Sequence, residues 1–236
     1  MYPRMRIREI RDFNLDGGYL IDGFPSIGFS SAIATESMLH MSNFSLAGVI
    51  SSDNFPPISL IKEGKPNFPT RIFVNDETKV SIFLSYLTLH ESLHRTAAKL
   101  MLNWAKKKKI KWIVSSVAIK ATNDLQEPIA VGSTDIARKK IKDAGFKVLE
   151  NGVVPGIPGI LLNEGNLNDQ EVIVILVHSD GTGPDFRSSA ILCEGISKLI
   201  PGTSCDLNLL QREAEKAEVM IKEAQEESKH LDTMYR

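Results

Sequence analysis

The sequence is sparing with the features that announce a function most directly. It has only two cysteines, Cys193 and Cys205, which show neither a metal-ligand spacing nor a disulfide framework, so a reducing compartment is expected. It has no run near the roughly 18 consecutive apolar residues that a membrane span needs. Met1 to Ile10 alternates arginine with apolar residues and lacks the apolar core of a signal peptide. It has almost no net charge: a formal −1 gives no global pull toward nucleic acid or anionic lipid. These absences predict a cytoplasmic protein with neither a membrane nor a nucleic acid as partner. What remains, 42 % hydrophobic and 24 % charged residues over 236 positions, suits one large α/β domain or a domain with an appendage.

Apolar runs alternate with helical patterns, which predicts an α/β fold with a largely parallel sheet flanked by helices. Gly18–Asp22 reads as a first strand, followed by a helix over Phe29–Met41 and a strand over Leu46–Ile50. Asp53–Pro69 is proline-rich and reads as an irregular insertion. Arg71–Val74 and Val80–Leu84 form a predicted hairpin across Asn75-Asp76-Glu77-Thr78. Leu89–Lys107 has helical periodicity, with Leu93, Ala97, Leu100, Met101 and Trp104 on one face. Trp112–Val117 is a central strand. Ser133-Thr134-Asp135 caps a helix over Ile136–Asp143 that stops at Gly145. Val172–Val177, the most apolar run, is placed in the middle of the sheet, and Pro184–Leu199 supplies a further covering helix.

A domain of residues 1–203 thus precedes a different segment, 204–236. From Asp206 onward there is no glycine or proline, and Leu207, Leu210, Ala214, Ala217, Ile221, Ala224, Ser228 and Leu231 recur at spacings of three and four. Such a helix of about 28 residues would reach about 42 Å. It either lies along the body or pairs with a neighbouring subunit.

Several stretches carry chemistry-bearing letters. Gly23-Phe24-Pro25-Ser26-Ile27-Gly28-Phe29-Ser30 has the spacing of a phosphate-binding Walker A loop between a strand and a helix. Phe29 stands where that loop needs lysine, so the ammonium that would meet the β- and γ-phosphates is missing. The stretch reads first as a tight turn in which Gly23, Pro25 and Gly28 serve the backbone. A small-molecule or nucleotide binder remains the alternative, since a helix N-terminus attracts anions. His90-Glu91-Ser92-Leu93-His94 matches the zincin pattern: two imidazoles at i and i+4 of a helix can share zinc, with Glu91 as general base. No extended zincin continuation follows, and third ligands are limited to Asp124 and Glu127 in a loop. Near a helix start Glu91 also simply complements the dipole.

Gly152-Val153-Val154-Pro155-Gly156-Ile157-Pro158-Gly159 reads as a rigid connection in which Gly156, Pro158 and Gly159 permit close approach, or as one wall of a pocket at the carboxyl edge of the sheet. His178-Ser179-Asp180 holds base, nucleophile and acid in one continuous stretch, whereas triad members come from separate loops. Lys106 to Lys109 with Lys111 forms a solvated helix end favoured by the dipole. No catalytic residue and no cofactor is assigned.

Two of these stretches together resemble the PAC2 family. They are Gly23-Phe24-Pro25-Ser26-Ile27-Gly28 with its Ala/Ser-rich helix, and Val154-Pro155-Gly156-Ile157-Pro158-Gly159-Ile160-Leu161-Leu162 continued through the Val172–Val177 strand to the helix holding Ala190 and Gly195. Leu207-Asn208-Leu209-Leu210, leading into an acidic helix, also fits; Ser26 departs from the family's more usual glycine. The resemblance implies a three-layer α/β/α sandwich related to the phosphorylase/hydrolase-like fold. It implies a non-catalytic proteasome assembly chaperone, or an ATP-independent activator, acting as a homo-oligomer. Archaeal members end in a hydrophobic-Tyr-X tail that binds pockets between α-subunits of the 20S proteasome, and this chain ends Met234-Tyr235-Arg236. In such a tail the terminal carboxylate pairs with a lysine, the tyrosine ring anchors, and methionine fills an apolar rim. The zinc metallopeptidase and the loop ligand binder are the competing readings.

Overall fold

Strands that are apolar at every position need cover on both faces, and the computed structural model, which describes residues 4–119, 127–179, 181, 183–206, 208 and 210, provides it. In chain order the elements are β1 (Met5–Glu9), β2 (Tyr19–Gly23), a single 3₁₀ turn (Ile27–Phe29), α1 (Ser30–Met41), β3 (Ser45–Ser52), β4 (Leu60–Lys62) and β5 (Lys65–Asn67). There follow β6 (Thr70–Asn75), β7 (Val80–Ser85), α2 (Glu91–Lys107), β8 (Trp112–Ile119), β9 (Ile129–Gly132), α3 (Asp135–Asp143), β10 (Lys147–Val148), α4 (Gly156–Leu167), β11 (Glu171–His178) and α5 (Phe186–Leu199).

Nine strands form one sheet in the order β1-β3-β6-β7-β2-β8-β11-β9-β10, and β4 and β5 pair separately. Neighbours from β7 through β2 and β8 to β11 run parallel. The β1-β3-β6-β7 flank is antiparallel, as is β9 against β11, so the sheet is mixed around a parallel centre. The register of β11 shows the layering directly. Val172, Val174 and Leu176 enter a core shared with α2 and α4. Ile173, Ile175 and Val177 enter the opposite core, with residues of α1, α3 and α5. This is a three-layer α/β/α arrangement. Among the described residues no helix is long and apolar enough to cross a membrane.

Four expectations need correction. The arginine-rich start forms β1, because its alternate residues Met5 and Ile7 pack against the α2-side core while Arg6 and Arg8 stay outside. The proline-rich insertion contains the β4–β5 hairpin, anchored to α1 by a 3.1 Å ion pair from Lys62 to the buried Glu36. The Gly/Pro stretch is no mere connection, since α4 starts at Gly156; Pro158 sits in its first turn, where no intrahelical donor is needed. β11 is interior but off-centre; β2 and β8 occupy the middle.

The cysteines require a further correction. Cys193 of α5 and Cys205 are bonded to each other, their Cα atoms 5.9 Å apart. The turn at Pro201-Gly202, with Gly202 at a φ of +81°, sends the chain back along α5. A spacing of 12 residues says nothing of that reversal, and with it the cysteine argument for a reducing compartment falls. The heptad segment from 211 onward lies outside the described residues; Leu210, just before it, is buried in the core beside α5.

Candidate functional site

The parallel strands deliver their carboxyl ends to one side of the sheet, where an open α/β fold characteristically leaves a crevice. Here the crevice is a cleft of about 1050 Å³. β2 brings Asp22, and the turn after it brings Phe24 to Phe29. The first turn of α2 contributes Glu91, His94 and Arg95, β8 contributes Ser116, and Val154 to Ile160 come from the chain leading into α4 and its first turn. The two Gly/Pro stretches, far apart in sequence, are therefore opposite walls of one cavity.

Local chemistry explains each wall. Gly28 has a φ of +67°, and a Cβ there would lie 2.8 Å from both Asp185 Cβ and Ser179 Oγ. Its carbonyl accepts a hydrogen bond from the Asp185 backbone N–H at 2.9 Å, so the turn is clasped to the start of α5. Gly23 packs β2 directly on Thr35 of α1, and Pro25 lines the cleft between these two glycines. On the other wall a Cβ at Gly159 would lie 2.1 Å from the Val154 carbonyl oxygen. Gly156 begins α4 at a φ of +71°, and Pro158 follows within its first turn.

The floor is polar and buried. Asp22 is only 2 % exposed; its Oδ1 accepts from the Phe24 N–H at 3.0 Å and its Oδ2 from Ser115 Oγ at 2.7 Å. Burial pushes its carboxyl up to about 6 despite both hydrogen bonds, which work in the opposite direction. Beside it Ser116 Oγ donates to Ser31 Oγ at 2.9 Å, and Ser26 and Ser31 share a hydrogen bond of 3.0 Å. Sequence reading missed Asp22 and these serines. A lone carboxylate closing an apolar strand was the available signal.

The zincin pattern does not assemble. His90 is the N-cap of α2: its Nδ1 accepts from the Ser92 N–H at 3.3 Å and shares a 2.9 Å hydrogen bond with Ser92 Oγ. Glu91 and His94 do line the cleft, but His94 Nε2 donates to the Leu89 carbonyl at 3.1 Å. The two imidazoles are thus committed to different backbone groups. Among the described residues no three His, Cys, Asp or Glu side chains stand together as metal ligands. Of the loop candidates, Glu127 pairs with Lys147 at 3.0 Å and Asp124 lies outside the described residues. Phe29, in the Walker lysine position, packs against the core on the α1 side.

Ser179 belongs to a helix cap. Asp185 caps α5, and although burial opposes its charge, hydrogen bonds from the Ser188 N–H, the Ser179 and Ser188 side chains and the Arg187 N–H outweigh it and hold the carboxyl below its ordinary value. Asp180 lies outside the described residues. The lysine run is partly spent on the body: Lys108 pairs with Glu9 at 2.9 Å and sits 4.2 Å above the Phe13 ring. Met234, Tyr235 and Arg236 lie outside the described residues.

Known proteins resemble this chain. An uncharacterized protein of Methanocaldococcus jannaschii is 25 % identical over 234 residues, covering 99 % of this chain and 95 % of its own. Pyrococcus furiosus PbaA, an archaeal homolog of proteasome-assembly chaperone, is 25 % identical with a TM-score of 0.80 over 96 % of this chain and 100 % of its own. P. furiosus PbaB, an archaeal proteasome activator, is a likeness of fold at 18 % identity, with a TM-score of 0.70 over 95 % of this chain and 100 % of its own. The model of the PAC2 family matches residues 20–225. That match spans both walls of the cleft and every element from β2 to α5, and on it this chain belongs to the PAC2 family.

Proposed function

We propose that this chain is a non-catalytic, cytoplasmic proteasome assembly chaperone or ATP-independent activator, working as a homo-oligomer that docks on the 20S α-ring through Met234, Tyr235 and Arg236. The observation that carries the reading is the end-to-end likeness to PbaA within a shared family. The chemistry of the cleft supports a binding role: its serine hydroxyls bond to one another, and His94, the imidazole among its lining residues, spends Nε2 on a carbonyl. A three-residue tail binds weakly alone, and several tails on one oligomer gain by avidity where their spacing suits the ring.

The test is co-sedimentation with 20S particles, comparing the full chain with a chain lacking Met234 to Arg236 and with Tyr235→Ala. Both variants are expected to keep the fold and lose the particle. Retention equal to the full chain would sink the tail assignment, and failure of the full chain to co-sediment would sink the proteasome reading itself.

A further inference from the structure

A second concavity lies outside the cleft, sharing Glu91 and Arg95 with its rim. It is a groove of about 700 Å³ between the start of β1 and one face of α2. Arg4 and Arg6 line it at the start of the strand, Arg95 and Lys99 line it from the helix, and Glu91 is the one acidic residue among its described lining. Arg95 has a single long contact, 3.8 Å to Glu164; Arg4, Arg6 and Lys99 have no ion pair among the described residues. In a chain of formal charge −1 this is a local excess of positive charge.

The same strand is an open edge. Among the described residues β1 ends the sheet and pairs only with β3. Ile10 gives its N–H to the Ala47 carbonyl of β3 at 2.9 Å, and the Arg8 carbonyl also turns toward β3, beside Gly48. Backbone groups alternate along a strand, so those of Met5, Ile7 and Glu9 point away from the sheet. Unpaired strand edges are templates for another strand, and this one is flanked by Arg4, Arg6 and Lys99, which have no ion pair among the described residues, and by Arg95 with its one long pair.

We propose that the groove binds an extended acidic segment of another protein, added as a strand on β1 with its carboxylates set against Arg4, Arg6, Arg95 and Lys99. Strand addition supplies affinity through the main chain, and the cations select the side chains. A polynucleotide or a lipid surface satisfies the charge but has no amide backbone to meet Met5, Ile7 and Glu9, and among the described residues no aromatic platform lines the groove. A protein segment satisfies both.

The experiment measures fluorescence anisotropy of a labelled peptide of about ten residues, built of Glu-Glu-Val-Val repeats so that carboxylates stand on both faces of the added strand, with the full chain. Binding is expected to weaken by about tenfold or more in three comparisons: Gln for Glu in the peptide, Arg6→Glu with Lys99→Glu in the protein, and a rise from about 50 to about 300 mM salt. N-methylation at alternate peptide residues is expected to abolish it, because the edge then loses its partners. The milder pair Arg6→Gln with Lys99→Gln, checked for an unchanged melting curve, guards against a folding artefact. The proposal is overturned by equal affinity of these variants and the wild type, or by N-methylated peptide binding as well as the unmodified one. Tighter binding of oligo-dT or of anionic vesicles would assign the groove to a polyanion. A wild-type oligomer that dissociates on Arg6→Glu with Lys99→Glu would assign it to a second copy of this chain.

Discussion

Replacing Cys205 with serine is expected to cost the fold about 3 kcal/mol. The bond joins residues 12 apart, and closing a loop of that size in the unfolded chain restricts its entropy by about that amount at 25 °C. Cys205 is the position to change, because Cys193 is fully buried in α5 and its replacement would add a packing loss of its own. For a chain of this size about 3 kcal/mol corresponds to a fall in Tm of roughly 6–12 °C. Differential scanning calorimetry of the wild type under air, the wild type with reductant, and Cys205→Ser under air forms a closed set. The last two should melt together, below the first. Thiol titration in denaturant without reductant should find no free thiol in the air-oxidised wild type. Two free thiols there, or coincident melting of all three samples, would refute the reasoning.

Gly28→Ala should destabilise by about 2 kcal/mol or more, read from the denaturant midpoint, since the new Cβ must occupy a left-handed conformation and displace Ser179 or Asp185. Asp22 gives a pH signature. Its carboxyl titrates near 6 in the fold against an ordinary value of 3.8. The folded state therefore holds the extra proton between those values, and stability falls as pH rises from about 4 to about 6, by about 3 kcal/mol in all. Asp22→Asn should flatten that slope in denaturant titrations at pH 4.5 and 7, and an unchanged slope would place the cause elsewhere.

Much of this fold was written in local patterns. The 3.6-residue recurrence of Leu93, Ala97, Met101 and Trp104 gave α2, and Thr134 with Gly145 bounded α3 as read. The continuous apolar run of β11 announced burial on both faces. The misses are of another kind. β1 hid because three charged residues, Arg6, Arg8 and Glu9, outweigh Met5 and Ile7 in composition, although the alternation was present. α4 hid because glycine and proline are poor helix interiors yet acceptable in a first turn. The convergence of the Gly23–Gly28 turn, α4 and the first turn of α2 on one cleft depends on strand order, and no local signal carries strand order. Asp22 stood out as a charge at the end of an apolar strand, but its role as a floor follows only from that convergence.

The Cys193–Cys205 bond also fixes the path along which force would cross the body. A pull on the chain beyond Cys205 enters α5 through a covalent bond, and α5 is fastened at its other end, through Asp185, to the Gly28 turn in the cleft wall. Tension at the carboxyl-terminal segment is therefore delivered along a helix as along a rod, and it arrives at the wall of the cleft.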